Sequence, residues 1–373
     1  MASDSLKKEP MVRIARRKDI ARKQAWLVRL IAIILALIVC GVFIFAITST
    51  NPLKVYLGMI DGAIGTSRRT WNTLRDTMIL LAVSLAITPA FKMRFWNIGA
   101  EGQILVGGIA TAAIMRYLGD SLPAPILFTV MIVSSLAAGI IWGIIPAFFK
   151  AKYNTNETLF TLMMNYIATQ LTAYFTIIWE AVKGSGSIGT INKGTKAGWM
   201  STSFMSEVFG NFNYSINVII VLILTVLMYI YLKKTKHGYE IAVVGESENT
   251  ARYAGINVKK VILRTMAISG ALCGFTGFLL VSGSSHTISV NTAGGRGFTA
   301  IIVSWLAKFN PYIMALISFL LVFLDNGAVQ IASQFGLNES AAEVITGIIL
   351  FFLIGCEFFI NYRVIFRGKH EEA

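Results

Sequence analysis

Ten apolar segments follow one another along this chain of 373 residues. A transmembrane helix needs about 20 largely apolar residues, and backbone polar groups cannot stay unpaired in hydrocarbon. No stretch between the segments is long enough to hold a separate soluble domain. The sequence therefore predicts an all-α polytopic membrane protein with about ten transmembrane helices, near residues 26–48, 75–92, 97–117, 124–148, 157–180, 214–232, 257–283, 296–308, 311–333 and 341–362.

The charge distribution predicts the side of the membrane on which each loop lies. The chain is 55% hydrophobic and only 14% charged, yet its formal net charge is +14. A basic balance can indicate nucleic-acid binding, but in a membrane protein Lys and Arg set the orientation by staying in the cytoplasm. With the N-terminus inside, 24 of the 33 Lys and Arg residues lie on the inner side. We therefore expect a basic cytoplasmic tail at 1–25, a transmembrane domain at 26–362 and a second cytoplasmic tail at 363–373.

The first apolar segment has a second interpretation, a secretory signal peptide. Its apolar run exceeds the roughly 7–15 residues usual for the core of such a peptide, and no clear small-x-small cleavage site follows it. We expect this segment to be retained as a helix.

Two glycine-rich polar strings, NIGAEGQ at 97–103 and NTAGGRG at 291–297, each precede a segment that is short of apolar residues. Ten spans divide into two groups of five. Because five is odd, a second half with the same fold would be inverted, with the first string at the inner end of its segment and the second at the outer end. Paired glycine-interrupted segments indicate a translocation path with broken or re-entrant helices. Tight helix packing explains the glycines equally well.

Glu101 lies in the first of these strings. Residues 104–119 are too few to cross a bilayer without that string, so Glu101 is expected at or near membrane depth. A charge there costs roughly 2.5–3.5 kcal/mol on insertion scales, and it is usually kept for a pathway or a partner. The sequence therefore indicates a transport protein.

The longest inner loop, 233–260, carries the signals of one short helix. Ser247 can cap a helix, Glu248 lies in the first turn where the helix dipole favours an acid, and Gly255 is placed to end the helix. These signals predict a surface helix from Glu248 to Ala254. The loop is either an ordinary interfacial loop or a docking element for a cytoplasmic protein.

The other motifs do not indicate catalysis. The string at 184–189 fits the dinucleotide pattern G-x-G-x-x-G, but no predicted strand precedes it, and we interpret it as a chance match. The chain has no G-x-x-x-x-G-K-[ST] phosphate loop, so it is not expected to hydrolyse ATP. The histidines are isolated in loops, and the cysteines lie in apolar segments as small core residues, namely His237, His286, His370, Cys40, Cys273 and Cys356.

Four motifs, NIGAEGQ at 97–103, NETLFTLMMNYIA at 156–168, GYEIAVVGESENTARYAGINVKKV at 238–261 and GRGFTAIIVSWLAKFNP at 295–311, carry a family resemblance. From about residue 74 onward the chain resembles the permease subunits of bacterial ABC importers of the ribose/branched-chain amino-acid type. It is most similar to the nucleoside-uptake branch, which works with basic-membrane-protein-type lipoproteins. The resemblance implies a type II ABC importer-like fold in the cytoplasmic membrane and the translocation of ribonucleosides.

The resemblance also implies roles for individual residues. The segment 246–256 would be the coupling helix that docks on the ATPase, with contacts from Glu246, Glu248, Asn249, Arg252, Tyr253 and Gly255. The translocation path would be lined by Asn97, Gly99, Glu101, Gln103, Asn165, Asn291, Gly294 and Gly295. No residue would be catalytic or bind a metal.

Four partners follow from the same resemblance. They are an ATPase with two fused nucleotide-binding halves that binds ATP-Mg, a second permease subunit, an extracellular substrate-binding lipoprotein and the lipid bilayer. Both a heterodimer and a homodimer of permeases agree with the sequence, and no cofactor is expected on this chain.

Two alternatives to nucleoside import stay open. The same machinery would serve a simple sugar of the ribose or galactose type, or riboflavin, since a path of amides and glycine backbone suits a pentose as well as a nucleoside. An ion-coupled secondary transporter with Glu101 as its proton site is a different class of protein, and the docking-type loop counts against it.

Overall fold

The computed structural model describes residues 12–17, 22–48, 51–200, 215–336 and 339–366. Within those ranges the chain forms two short strands, β1 (Val12–Arg16) and β2 (Tyr362–Phe366), and thirteen helices: α1 (Arg22–Thr48), α2 (Pro52–Ile64), α3 (Ser67–Lys92), α4 (Ala100–Leu118), α5 (Ala124–Tyr153), α6 (Glu157–Ile178), α7 (Ser215–Lys234), α8 (Lys236–Glu246), α9 (Glu248–Tyr253), α10 (Val258–Leu280), α11 (Arg296–Leu306), α12 (Pro311–Phe335) and α13 (Glu339–Asn361). A single π-helical turn, Val281–Ser285, continues α10.

Each of the ten predicted segments forms a helix, which confirms the prediction of an all-α multi-pass membrane protein. Among the described residues, seven helices are long and apolar enough to cross a membrane. Helices α4 and α6 are interrupted by polar side chains, and α11 has only 11 residues. The inverted relation between two five-helix halves stays a prediction.

Two helices were not expected. Helix α2 lies between the first two predicted segments, where Asn51 caps it by accepting a hydrogen bond from the Leu53 amide at 2.9 Å and Pro52 starts the first turn. Helix α8 precedes the predicted surface helix, and Thr235 caps it by accepting from the Gly238 amide at 3.1 Å. The loop predicted at 233–260 therefore contains two consecutive helices, α8 and α9.

The chain divides into two compact units, Met1–Thr66 together with Phe323–Ala373, and Ser67–Val322. In the first unit α1 packs on α13, and β1 pairs with β2 in an antiparallel ladder from Val12 opposite Phe366 to Arg16 opposite Tyr362. The predicted tails at 1–25 and 363–373 therefore include paired strands. Residues 1–11, 18–21 and 367–373 of those tails lie outside the described residues.

Helix α10 forms the centre of the second unit and packs against α3, α4 and α5. Its contact with α5 is made by glycines: a Cβ added to Gly270 would lie 2.3 Å from the Gly139 carbonyl oxygen, and one added to Gly139 would lie 2.1 Å from the Gly270 carbonyl oxygen. Small residues permit such close approach of membrane helices. Tight packing therefore accounts for these glycines, which lie outside the two polar strings.

Candidate functional site

The first polar string forms a fixed turn that leads into α4. Asn97 and Gln103 exchange two side-chain amide hydrogen bonds of 3.4 Å each, and Asn97 also donates to the Ser269 hydroxyl of α10 at 3.2 Å. The Asn97 oxygen accepts from the amide of Gly99, the residue that precedes α4, at 3.1 Å. Asn97 and Gln103 are buried, so their polar groups position the turn.

Helix α6 holds the same turn from its other side. The Asn165 side chain donates to the Ile98 carbonyl at 2.9 Å and accepts from the Gly102 amide at 2.8 Å. Thr161, one turn earlier, accepts from the Ile98 amide at 3.2 Å. The side-chain oxygen and the side-chain NH2 group of Asn165 both bond to the backbone of the turn. This residue therefore supports the turn and does not present a free polar group.

Glu101 joins the two polar strings. Its carboxylate accepts one hydrogen bond from the Gly295 amide and one from the Gly297 amide, each 2.7 Å long. These two amides stand at the N-terminal end of α11, where the helix has no intrahelical acceptor for them. Glu101 therefore caps α11 from another helix, and its negative charge lies where the helix dipole favours an anion.

The two strings meet, because Glu101 of the first accepts hydrogen bonds from the second. The position of each string at the inner or the outer end of its own segment stays a prediction. The length of α11 permits the contact. Its 11 residues rise about 16 Å, roughly half of a 30 Å hydrocarbon core. A helix of that length which ends at one membrane surface begins inside the membrane, where it can meet the start of α4.

Two glycines of the second string are required by this contact. Gly295 has a φ of +71°, in the left-handed region that favours glycine. A Cβ added to Gly297 would lie 2.7 Å from the Glu101 amide nitrogen and 2.7 Å from its carboxylate. Beside this junction, Arg296 lies 3.6 Å from the Asp76 carboxylate of α3.

The structure thus divides the predicted path residues into two groups. Asn97, Gly99, Gln103 and Asn165 are buried and hydrogen-bonded to one another or to neighbouring backbone. Glu101 is partly exposed, and the exposed residues of the second string lie beside it or precede it, namely Asn291, Gly294 and Gly295. Only the second group is accessible from outside the packed helices.

An aromatic pair next to the polar turn was missed by the sequence analysis. Trp96 directly precedes the first string and Trp305 lies in the last turn of α11, and their rings stack with centroids 5.7 Å apart. Both side chains are about half exposed, as is Phe298 in the first turn of the same helix. The available signal was the seven-residue spacing of Phe298 and Trp305, which places both on one face of a helix.

The surface helix α9 begins at Glu248, as predicted, and ends at Tyr253, one residue before the predicted end. Ser247 accepts from the Thr250 amide at 3.2 Å, and Gly255 follows the helix with a φ of +74°. Glu248 and Arg252 form an exposed ion pair at 3.3 Å, and Tyr253 is 94% exposed. All six predicted docking residues are exposed on α9 and its flanks: Glu246, Glu248, Asn249, Arg252, Tyr253 and Gly255.

The opposite face of α9 is anchored in the second unit. Ala251 is fully buried in an apolar cluster with Ile241 of α8, Ala147 of α5, Met266 of α10 and Phe95, the residue before Trp96. This cluster connects the surface helix to the polar turn by continuous packing.

A charged contact adds to that anchor. Glu240 of α8 accepts from the Arg264 guanidinium of α10 at 2.8 Å, and both side chains are mostly buried. The hydrogen bond from Arg264 lowers the pKa of the Glu240 carboxyl below its usual value. Glu240 is therefore charged throughout the physiological pH range.

The cysteines are core residues, as predicted: Cys40, Cys273 and Cys356 are buried thiols inside helices. The string at 184–189 follows helix α6, and the Glu180 carboxylate occupies its amides by accepting from Gly184 at 2.7 Å and from Gly186 at 2.9 Å. In the described part of the chain no group of three or more His, Cys, Asp or Glu residues is placed to hold a metal ion.

Comparison with known proteins assigns the chain to a family of transporters. The guanosine ABC transporter permease protein NupP of Bacillus subtilis is 30% identical over 88% of this chain and 92% of its own length. The glucose ABC transporter permease protein TsgB13 of Haloferax volcanii is 28% identical over 91% of this chain and 90% of its own length. A second guanosine ABC transporter permease protein of Bacillus subtilis, NupQ, is 24% identical over 58% of this chain and 67% of its own length.

The family match covers most of the helical region described above. Residues 69–354 match the model of the branched-chain amino acid transport system / permease component. They include the polar turn, α9, α11 and the aromatic pair. The chain therefore belongs to this family of transport-system permeases: it is a membrane-embedded translocation subunit, and ATP hydrolysis belongs to a separate subunit.

Proposed function

We propose that this chain is the permease of an ABC importer that carries ribonucleosides across the bacterial cytoplasmic membrane. The observation that carries the proposal is the similarity to a guanosine permease over nearly the full length of both chains. The chemistry of the candidate path agrees with an uncharged substrate. Apart from the Arg296–Asp76 pair, whose opposite charges lie 3.6 Å apart, the polar groups around the Glu101 junction are amides, hydroxyls and glycine backbone, and the Glu101 charge is already satisfied by two backbone amides.

The translocation path is proposed to pass the junction that Glu101 forms with the Gly295 and Gly297 amides. The buried amides of Asn97, Gln103 and Asn165 hold this junction in place from behind. The partly exposed Glu101 and the exposed Asn291 stand on its open side. A change in the relation of α4 to α11 at this point would open or close the path.

Helix α9 is proposed to dock on the partner ATPase. Its exposed side offers an aromatic ring, Tyr253, next to the Glu248–Arg252 ion pair, while Ala251 fixes its other side in the apolar cluster. An exposed ring rimmed by charges is typical of a protein interface. Movement of the ATPase would reach the polar turn through Phe95 of that cluster.

The arrangement in the cell follows from the charge distribution. Both termini and α9 are proposed to lie in the cytoplasm, on the side with the excess of Lys and Arg. The partners are an ATPase with two fused nucleotide-binding halves that carries ATP-Mg, an extracellular binding lipoprotein and a second permease. Two guanosine permeases from one organism resemble this chain, which supports a pair of different permeases.

Initial uptake of radiolabelled guanosine in cells with and without this chain tests the proposed substrate. We expect uptake that requires the chain, requires the partner ATPase and is unaffected by excess unlabelled ribose or glucose. Guanosine uptake that is independent of the chain would refute the nucleoside assignment. Uptake that survives deletion of the ATPase would refute the ABC mechanism.

The docking proposal is tested with Tyr253→Ala and Arg252→Ala. Both variants should insert into the membrane at normal levels but lose most substrate uptake relative to ATP hydrolysis by the assembled complex. Tyr239→Ala is the matched control, because Tyr239 is a 65% exposed tyrosine on α8 outside the α9 surface. Normal uptake in the Tyr253 and Arg252 variants would remove α9 from the ATPase contact.

Import of a simple sugar is the second candidate. It is favoured by the similarity to a glucose permease over 91% of this chain. The same cells distinguish the two functions, because chain-dependent uptake of labelled glucose or ribose that guanosine does not inhibit would replace the nucleoside proposal.

A further inference from the structure

We propose that the exposed faces of Trp96 and Trp305 form a stacking platform for the base of the transported nucleoside. The inference rests on the proposed function and adds the group that recognises the substrate. Flat bases stack on aromatic side chains irrespective of their hydrogen-bonding edges, so one platform can serve several nucleosides.

The two indole rings already stack on each other. Their centroids are 5.7 Å apart and their planes differ by 23°. Trp96 is 45% exposed and Trp305 is 46% exposed. A third ring between them would need a separation of about 7 Å, twice the contact distance of two carbon atoms. The base therefore stacks on an open outer face and not between the two rings.

The platform is rigid because other aromatic rings pack against it. Phe91 is 2% exposed and presents its edge to both indoles, at 5.7 Å from Trp96 and 6.5 Å from Trp305. Phe309 contacts Trp305 edge-on at 5.4 Å. Rings that are fixed before the substrate arrives lose little side-chain freedom when it binds.

Helix α11 connects this platform to the Glu101 junction. Trp305 lies in its last turn and the Glu101-bound Gly297 in its first, eight residues or about 12 Å apart. Phe298 is 45% exposed and extends the aromatic surface along the same face toward the junction. The platform is therefore carried by the same helix whose first turn Glu101 caps.

The arrangement differs from the aromatic belt of membrane proteins. Belt tryptophans act as individual rings whose polar edge reaches the headgroup region. Trp96 and Trp305 instead stack on each other, with the buried Phe91 ring nearly perpendicular to both. A flat base can extend such a stack.

The test compares Trp305→Phe with Trp305→Leu in the complete importer. Leucine keeps an apolar side chain but removes the ring, so the half-saturating concentration for guanosine uptake should rise by roughly 5- to 140-fold, from the 1–3 kcal/mol of one base–aromatic stack. The effect on uridine should be smaller, because a pyrimidine offers a smaller face. Phenylalanine should restore most of the uptake.

Tyr312→Leu is the matched control, since Tyr312 is a 53% exposed ring that contacts the Tyr229 ring with centroids 5.0 Å apart and belongs to neither candidate region. Its uptake should equal that of the unmodified chain. The platform is refuted if Trp305→Leu transports guanosine normally, or if Trp305→Phe fails as completely as Trp305→Leu, which would indicate a contact with lipid or the second permease. An unmodified chain that imports glucose but not guanosine refutes the proposed function itself, which separates the two failures.

Discussion

Glu101→Gln is the substitution that best separates two roles of this carboxylate. In the first role it holds the start of α11 in place, and in the second it binds and releases a proton during transport. The Glu101 oxygens each accept one backbone N–H at 2.7 Å, from Gly295 and from Gly297. A glutamine at this position keeps one acceptor oxygen and places its own NH2 group opposite the other backbone donor. One hydrogen bond is lost, and an N–H at the start of α11 is left without an acceptor.

The expected cost follows from these contacts. A hydrogen bond to a charged group contributes about 1.5–3 kcal/mol, and the interaction of a carboxylate with a helix N-terminus adds about 0.3–1 kcal/mol. Glu101→Gln should therefore weaken the attachment of α11 by about 2–4 kcal/mol. Since 1.4 kcal/mol corresponds to a factor of ten, local opening of the first turn should become roughly 30- to 700-fold more frequent.

Amide hydrogen exchange of the purified protein measures this opening directly. Peptides that cover 292–300 should exchange faster in Glu101→Gln, while peptides from α5 and α10 keep the exchange of the unmodified chain. Glu180→Gln is the matched control, because Glu180 also accepts two glycine amides, at 2.7 and 2.9 Å, but does so in the exposed loop at 184–189. It should leave α11 unchanged.

Unchanged exchange at 292–300 in Glu101→Gln would refute the capping role. Substrate uptake gives a second readout. If Glu101 itself carried a proton during transport, the glutamine variant would lose uptake without any change in the hydrogen exchange of α11. Loss of uptake in proportion to the increase in exchange would instead support the structural role.

Three further predictions concern other parts of the second unit. Gly270→Ala places a Cβ 2.3 Å from a carbonyl oxygen of α5 and should lower the free energy of unfolding by about 1–3 kcal/mol. The measurement is the midpoint of thermal unfolding in detergent, which should fall. Gly355→Ala is the control and should not lower it, because its Cβ would have no atom within 4 Å. Ser247→Ala removes the cap of α9 and should cost about 1 kcal/mol, seen as roughly fivefold faster exchange at 248–254 and contradicted by unchanged exchange. Because Arg264 lowers the pKa of Glu240, the ion pair stabilises the fold above the ordinary carboxyl pKa, and this stabilisation is lost as the pH falls through the lowered value. The difference in the free energy of unfolding between the unmodified chain and Glu240→Gln should therefore shrink below about pH 4.5. A difference that does not change with pH would contradict this prediction.

The elements with strong local signals were predictable from the sequence. The apolar segments form helices because the hydrocarbon leaves their backbone no other partner. Helix α9 begins directly after Ser247 and ends before Gly255 because capping and the left-handed glycine conformation act within a few residues. Such signals need no knowledge of the rest of the fold.

The contacts between distant segments were not predictable in the same way. Glu101 and Gly297 are 196 residues apart, and neither sequence string shows that one carboxylate satisfies the amides of the other. The pairing of β1 with β2 joins segments near the two ends of the chain and was missed for the same reason. A polar residue at membrane depth indicated a function, but its partner had to come from the structure.

The structure also connects the proposed docking helix α9 to the polar turn, although Ala251 and Phe95 are 156 residues apart in the sequence. Ala251 of α9 and Phe95 before the turn belong to one apolar cluster, and the next residue, Trp96, stacks on the last turn of α11. Close-packed side chains transmit displacement because they leave no space in which to absorb it. A shift of α9 must therefore move Phe95 or open a cavity beside it, and the first outcome displaces the turn that carries Glu101 relative to the helix that Glu101 caps.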